Sequence, residues 1–77
     1  MTSLSTLNPG SSACLVQVNG ERSFRRRLME LGFLPGTRIR MIRRVNVGDL
    51  VELEVRGCHV SIRQAEASEL WIQPDPQ

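Results

Sequence analysis

The chain has 77 residues, a formal net charge of +2 and 40% hydrophobic residues. That length allows one domain with a small core, because a domain of this size buries only about 60% of the surface its unfolded chain exposes. No apolar run approaches the ~20 residues of a membrane span, and the opening MTSLSTLNPG lacks both the basic and the apolar region of a signal peptide.

Residues 1–12 are rich in Ser, Thr, Asn and Gly, with Leu4 and Leu7 as the only apolar anchors. They read as a loosely held arm ending in the turn Asn8-Pro9-Gly10. From Cys14 to Asn19 the side chains alternate, Cys14, Val16 and Val18 against Leu15, Gln17 and Asn19, as in a half-buried strand. Asn19-Gly20 breaks that strand, and a helix is expected from about Glu21 to Leu31. Ser23 and Asn19 are both candidates for its N-cap, and neither has the Glu or Gln three residues on that completes a capping box.

The stretch Arg25 to Thr37, RRRLMELGFLPGT, is the best-specified piece of the chain. Phe24, Leu28 and Leu31 make one apolar stripe at helical spacing. Gly32 then stands where a left-handed C′ residue is wanted, which makes Phe33 and Leu28 the contacting pair of a Schellman stop. Leu34-Pro35-Gly36-Thr37 fits a type II turn, Pro presetting φ at the second position and Gly supplying positive φ at the third.

Thr37 to Val45 follows as a long strand with Ile39 and Met41 on one face and Arg38 and Arg40 on the other. Ile42 and Arg43 break the phase, as a bulge does. Leu50–Val55 and Cys58–Ile62 form a hairpin closed by the two-residue loop Arg56-Gly57. That loop sets Val55 opposite Cys58, Leu53 opposite Val60 and Val51 opposite Ile62 on the inner face, with Glu54 opposite His59 and Glu52 opposite Ser61 outside. At Gly48-Asp49 a two-residue loop would put Arg44 and Asn46 across from the inward Leu53 and Val51. A loop of three residues, or another odd number, pairs Val45 and Met41 with Val51 and Val55, and is expected. Gln64 to Glu69 reads as a helical turn and Leu70-Trp71-Ile72 as a closing strand. Pro74 and Pro76 end regular structure, leaving 73–77 as a tail. The expectation is a mainly β fold, five short strands with one helix between the first and second, closed as a small SH3-like barrel that removes exposed edges.

Catalysis has little to stand on: one His, and no nucleophile with a base at readable spacing. His59 is expected on an outer face beside Glu54 as a surface pair. Two cysteines are too few for a disulfide framework and fit the reduced thiols of a cytoplasmic protein. Cys14 and Cys58 both fall on predicted inward faces, as small buried hydrophobes. A Cys14–Cys58–His59 metal site has no paired-ligand spacing behind it, and nothing requires a disulfide. All ten basic residues are Arg. GC-biased codon use is the simpler account of that, although the guanidinium fork also suits carboxylates and phosphates. Arg25 and Arg26 are expected to point outward, with Arg27 flanking the stripe and Arg26 and Glu30 forming an i, i+4 ion pair. One Trp, two Phe and no Tyr leave little surface for stacking bases, and nucleic acid is not expected.

Leu28 to Thr37, LMELGFLPGT, resembles the signature of the FeoA family, L-x-x-L-G-x-x-P-G-[ST] after an Arg-rich helix, carried here by Leu28, Leu31, Gly32, Pro35 and Gly36. The resemblance continues through Gly48-Asp49 and the R-x-x-E-A element at Arg63 to Ala67, and covers the chain from about Leu4 to Ile72. Leu50 departs from it, where the family often has Pro. The resemblance implies an SH3-like fold and a non-enzymatic, cytoplasmic accessory role in bacterial ferrous iron uptake. The implied partner is a FeoB-like transporter with a cytoplasmic GTPase region, so that the chain meets the membrane only through that partner. Its role would be to modulate the transporter's assembly or nucleotide cycle. No cofactor is implied, and the P-loop pattern G-x-x-x-x-G-K-[ST] does not occur.

The candidate contact surface is the helix face Arg25, Arg26 and Glu30 with the turn Leu34-Pro35-Gly36, where an exposed Leu34 beside charges suits a hot spot with a polar rim. Plain core packing of Leu34 is the competing account. The second functional reading is a small metal-responsive regulatory or transition-metal-binding SH3-like domain, with nucleic-acid binding behind it. A similar domain ends DtxR-like repressors, but no helix-turn-helix pattern precedes it here, so a complete repressor is not expected.

Overall fold

A computed structural model describes residues 1–75. In chain order the elements are β1 (Thr2–Ser3), a 3₁₀ turn (Leu4–Thr6), β2 (Ser12–Val18), α1 (Arg22–Glu30), β3 (Arg38–Val45), β4 (Leu50–Val55), β5 (Cys58–Arg63), α2 (Gln64–Ala67) and β6 (Leu70–Pro74). The strands form one antiparallel sheet in the order β1-β6-β2-β3-β4-β5. The architecture is mainly β, as expected, but with six strands rather than five, and no ladder joins β1 to β5. The extra strand is β1, so the helix follows the second strand.

The α1 stop forms as its sequence requires. Gly32 takes φ +104°, its N–H donates to Met29 O at 3.0 Å, and the Phe33 N–H donates to Leu28 O at 2.9 Å. Those are the two bonds of a Schellman motif, and they lay Phe33, 1% exposed, onto the fully buried Leu28. The type II turn follows, with Gly36 at φ +90° and the Thr37 N–H donating to Leu34 O at 2.9 Å. Leu31 departs from the expected stripe and is 48% exposed. It is the C-cap, where the helix has ended, and Phe33 takes the buried place that the periodicity assigned to it. The N-cap is Glu21, without a side-chain cap bond, rather than Ser23 or Asn19.

The Arg56-Gly57 hairpin has the expected register, Val55 to Cys58, Leu53 to Val60 and Val51 to Ile62. The preceding hairpin does not. Its loop has four residues, Asn46 to Asp49, with Val45 opposite Leu50 and Arg44 opposite Val51. The bulge expected at Ile42 then shifts the ladder, so that Met41 meets Leu53 and Ile39 meets Val55. The odd step is therefore supplied by the bulge and not by the loop. Gly48 and Asp49 both adopt positive φ there.

The arm is not loose. β1 pairs with β6 through Thr2–Ile72 and Ser3–Trp71, and Leu4 is fully buried in the same core as Leu15, Leu28, Phe33 and Leu70. Arg44 ties this segment to β3, donating to the backbone oxygens of Ser5 at 2.5 Å and Leu7 at 2.7 Å. At the other end β6 runs to Pro74, so part of the expected tail is strand; Pro76 lies outside the described residues. The cysteines are not core residues. Ala13 opposite Ile39 is the inward pair of β2 and β3, which turns Cys14 to the other face, half-buried. Cys58 keeps its expected partner Val55 but sits at the turn end of the edge strand and is exposed.

On the outer face, Arg43 forks onto Glu52, Nε to Oε1 at 2.9 Å and Nη2 to Oε2 at 3.1 Å. Those hydrogen bonds hold the Glu52 carboxyl below the ordinary carboxylate range and raise the Arg43 guanidinium. A carboxyl lowered on folding stabilises the fold above its unfolded value and loses that contribution as pH falls through the folded one. In the solvent the contribution is small. In a carboxyl-detected NMR titration, Arg43→Ala should raise the Glu52 midpoint; an unchanged midpoint would show that the fork does not form in solution. For the helix stop, a Cβ on Gly32 would meet only Val55 Cγ1, at an ordinary 3.8 Å. The strain of Gly32→Ala is therefore that of the left-handed backbone, and urea unfolding should show a loss of about 1–2 kcal/mol, with Gly32→Asn costing less.

Candidate functional site

α1 is held on one side and free on the other. Leu28 is its one fully buried side chain. Phe24, half-buried, lies under Arg27, whose guanidinium carbon is 5.7 Å from the ring centroid. Arg27 also pairs with Glu66 of α2. Glu66 in turn accepts the Arg63 backbone N–H through Oε1 at 2.9 Å, so one carboxylate caps α2 and fixes this flank of α1. Arg22, Arg25, Arg26 and Met29 fall at helical spacing on the opposite face, which no other element covers; all four are exposed.

β2 supplies the facing wall. Its ladder with β3 ends at Cys14–Arg38, after which Leu15 bonds only to the turn, its N–H to Thr37 O at 2.8 Å and its carbonyl from Gly36 N–H at 2.7 Å. Its register with β6 slips between Leu15 and Gln17. Val16, outward like Cys14, is 42% exposed, and the extra residue turns Gln17 outward as well while Val18 packs on the core. Between this wall and α1 runs a groove of about 480 Å³, lined by the apolar Val16, Val18, Met29, Phe33 and Pro35, by Gln17, and by Arg22, Arg25 and Arg26. Met29 is 54% exposed.

Arg27, Arg38 and Arg43 pair with Glu66, Asp75 and Glu52, and Arg44 holds backbone oxygens. Among the described residues no ion pair involves Arg22, Arg25 or Arg26, nor Arg40, Arg56 or Arg63 elsewhere on the surface; only the first three share a face with an apolar groove. The expected Arg26–Glu30 pair does not form; Arg22 and Arg26 lie on the same face as Met29, and Glu30 sits with Arg22, Ser23, Arg26 and Arg27 around a separate shallow depression.

The six candidate surface residues thus divide. Arg25, Arg26 and Pro35 meet at the groove, while Leu34 and Gly36 line another depression with Thr37, Arg38 and Arg56 on the far side of the turn. Leu34 is half-buried rather than exposed. Arg22, Met29 and Val16, with Gln17, Val18 and Phe33, line the groove without having been candidates from sequence. Met29 was legible as an apolar residue off the Phe24–Leu28 stripe, and Arg22 as the i−3 and i−4 neighbour of Arg25 and Arg26. Val16 was not, because it shares the face of Cys14, which the sequence reading places inward, whereas Ala13 and Leu15 are the inward residues. His59 Nε2 lies 3.9 Å from Glu54 Oε2, the expected surface pair. Both cysteines are free, and the described residues hold no group of three or more His, Cys, Asp or Glu placed to bind a metal. No described helix is long and apolar enough to cross a membrane.

The sequence profile of the FeoA domain matches residues 2–74. The chain belongs to the FeoA family. A curated relative of the family, the Fe(2+) transport protein A/Fe(2+) transporter FeoB fusion protein of Porphyromonas gingivalis, is 31% identical over 70 residues; the match covers 91% of this chain but only 8% of that protein. Among solved structures, the FeoA protein of Chlorobium tepidum superposes with a TM-score of 0.88 at 32% identity, over 95% of this chain and 70% of the other. FeoA of Stenotrophomonas maltophilia, solved with zinc and described as a prokaryotic SH3 domain protein, gives 0.78 at 30% identity, over 95% and 91%. A manganese-dependent transcriptional repressor shares the fold at 14% identity, with a TM-score of 0.84 over 94% of this chain and 40% of that one.

In this FeoA domain the family signature is a folding device. Leu28, Gly32 and the Pro35-Gly36 turn set the pitch of α1 against β2, and the R-x-x-E-A element places Glu66 where it caps α2 and holds Arg27.

Proposed function

We propose that this FeoA domain is a cytoplasmic, non-catalytic accessory of bacterial ferrous iron uptake that docks on the cytoplasmic GTPase region of a FeoB-like transporter and modulates its assembly or nucleotide cycle. Family membership supplies the link to ferrous iron transport. The observation that carries the docking is the Porphyromonas gingivalis relative, in which transport protein A and the transporter FeoB are one polypeptide. Two proteins that work in contact gain effective concentration when fused and need no new contact to do so. Docking needs a free surface on the domain, and the face of α1 carrying Arg25 and Arg26 supports this role: it is exposed, and neither guanidinium has an ion-pair partner among the described residues.

The alternative of a metal-responsive domain draws on the zinc in the Stenotrophomonas maltophilia structure. Here Cys14, Cys58 and His59 do not gather with an acid into a ligand set among the described residues, so the accessory reading has the stronger support.

Tagged chain passed over detergent extract of cells expressing the FeoB-like transporter should retain the transporter. The double variant Arg25→Glu, Arg26→Glu should retain several-fold less while unfolding within about 0.5–1 kcal/mol of the parent, as exposed substitutions do. Undiminished retention by that variant would remove this face from the interaction, and no retention by the parent would remove the transporter as partner.

A further inference from the structure

The groove between α1 and β2 has a composition that selects its occupant. Its floor is apolar and open: Val16 and Met29 are 42% and 54% exposed, and Pro35 stands beside them over the buried Phe33. Three guanidiniums, Arg22, Arg25 and Arg26, line the rim, and none has an ion-pair partner among the described residues. We propose that this groove binds an acidic segment of a partner protein that seats an aliphatic or aromatic side chain on Val16 and Met29 and places carboxylates against Arg22, Arg25 and Arg26. The proposal rests on the accessory reading for the identity of the partner, and on the groove alone for the chemistry of the segment.

Several observations favour this occupant over others. An apolar anchor surrounded by charge is the usual plan of a small docking site, in which one desolvated side chain carries most of the energy and the rim excludes water. Arginine reads a carboxylate with two parallel hydrogen bonds, which adds register to attraction. Arg22 stands three and four residues from Arg25 and Arg26, a like-charge spacing whose repulsion Glu30 relieves only on the Arg26 side and bound carboxylates would relieve further. A second copy of the chain using the same groove across a two-fold axis would set these arginines against themselves. Proline-rich segments need an aromatic-lined groove, and here the one aromatic, Phe33, is 1% exposed. An anionic membrane would meet the charge but leave the recess between α1 and β2 unfilled.

The test uses the whole chain, ¹⁵N-labelled, titrated with the blocked synthetic peptide Asp-Glu-Leu-Trp-Glu-Asp. Amide shifts should cluster at Val16 to Val18, along Arg22 to Met29 and beside Pro35. Affinity should fall as NaCl is raised from about 0.05 to about 0.5 M, because the rim charges are in solvent. Met29→Glu, at an exposed position, should raise the dissociation constant at least about tenfold, while Val47→Glu at the distant hairpin tip should leave it unchanged. Replacing Leu and Trp in the peptide by Ala, or its acids by Lys, should abolish the shifts. Shifts clustered on another face, equal binding by Met29→Glu, or preferential binding of a proline-rich peptide or phosphatidylserine vesicles would overturn the proposal. So would sedimentation as a dimer that Met29→Glu dissolves. The two readings fail separately. Transporter retention unchanged by Met29→Glu removes the groove and keeps the accessory role. Peptide binding in the groove without any transporter retention keeps the groove and removes the transporter as its owner.

Discussion

The exposed face of this domain depends on how α1 ends. Gly32 in the left-handed region lets the chain turn back sharply enough for Phe33 to cover Leu28 and for both orphan carbonyls to find donors. A helix of nine residues is too short to persist by propensity alone. Its orientation is therefore set by this stop and by the Arg27–Glu66 contact on one flank. With those fixed, Arg22, Arg25, Arg26 and Met29 have no option but solvent. The face proposed for docking is the remainder left when the minimum needed to hold the helix has been used.

Rigid attachment also serves binding. A surface that must be ordered before it binds loses affinity to that ordering. Here the walls are fixed in advance, β2 by its ladder with β6 and by the bonds of Leu15 to Gly36 and Thr37, and α1 by its stop. With Ala13 and Leu15 in the inward positions of β2, Val16 alternates outward and stands as an apolar residue beside the helix. On the outer face of β3 and β4, by contrast, Arg43 and Glu52 satisfy each other through a two-bond fork.

Much of the fold was legible because it is written in local, short-range rules. The Schellman stop, the Pro35-Gly36 turn, the Arg56-Gly57 hairpin register and the break at Ile42 each depend on a few neighbouring residues. What was not legible depends on residues far apart in sequence. Leu4 and Leu7 look like isolated apolar residues in a polar arm, and only the pairing of Thr2 and Ser3 with β6 shows that they belong to the core. Leu31 fits the helical period but lies past the helix end. Cys14 was misplaced because the phase of β2 is set by Ala13 opposite Ile39, and an alanine gives little signal of which face it occupies; Cys58 was misplaced because it stands at the turn end of an edge strand. Of the candidate site, Arg25, Arg26 and Pro35 were found from sequence, whereas the groove that unites them with Arg22, Val16 and Met29 was not. A groove between a helix and a bulged strand has no one-dimensional signature.

The central claim is that the α1–β2 groove is the contact surface for the ferrous iron transporter. Amide hydrogen exchange of the chain, alone and with the purified detergent-solubilised FeoB-like transporter, tests it most directly, since it reports where the partner sits without altering any residue. The account predicts slowed exchange confined to Val16–Val18 and the free face of α1, with the β4–β5 hairpin unchanged. Protection centred on β5 or the Arg56-Gly57 turn, with α1 unaffected, would contradict it.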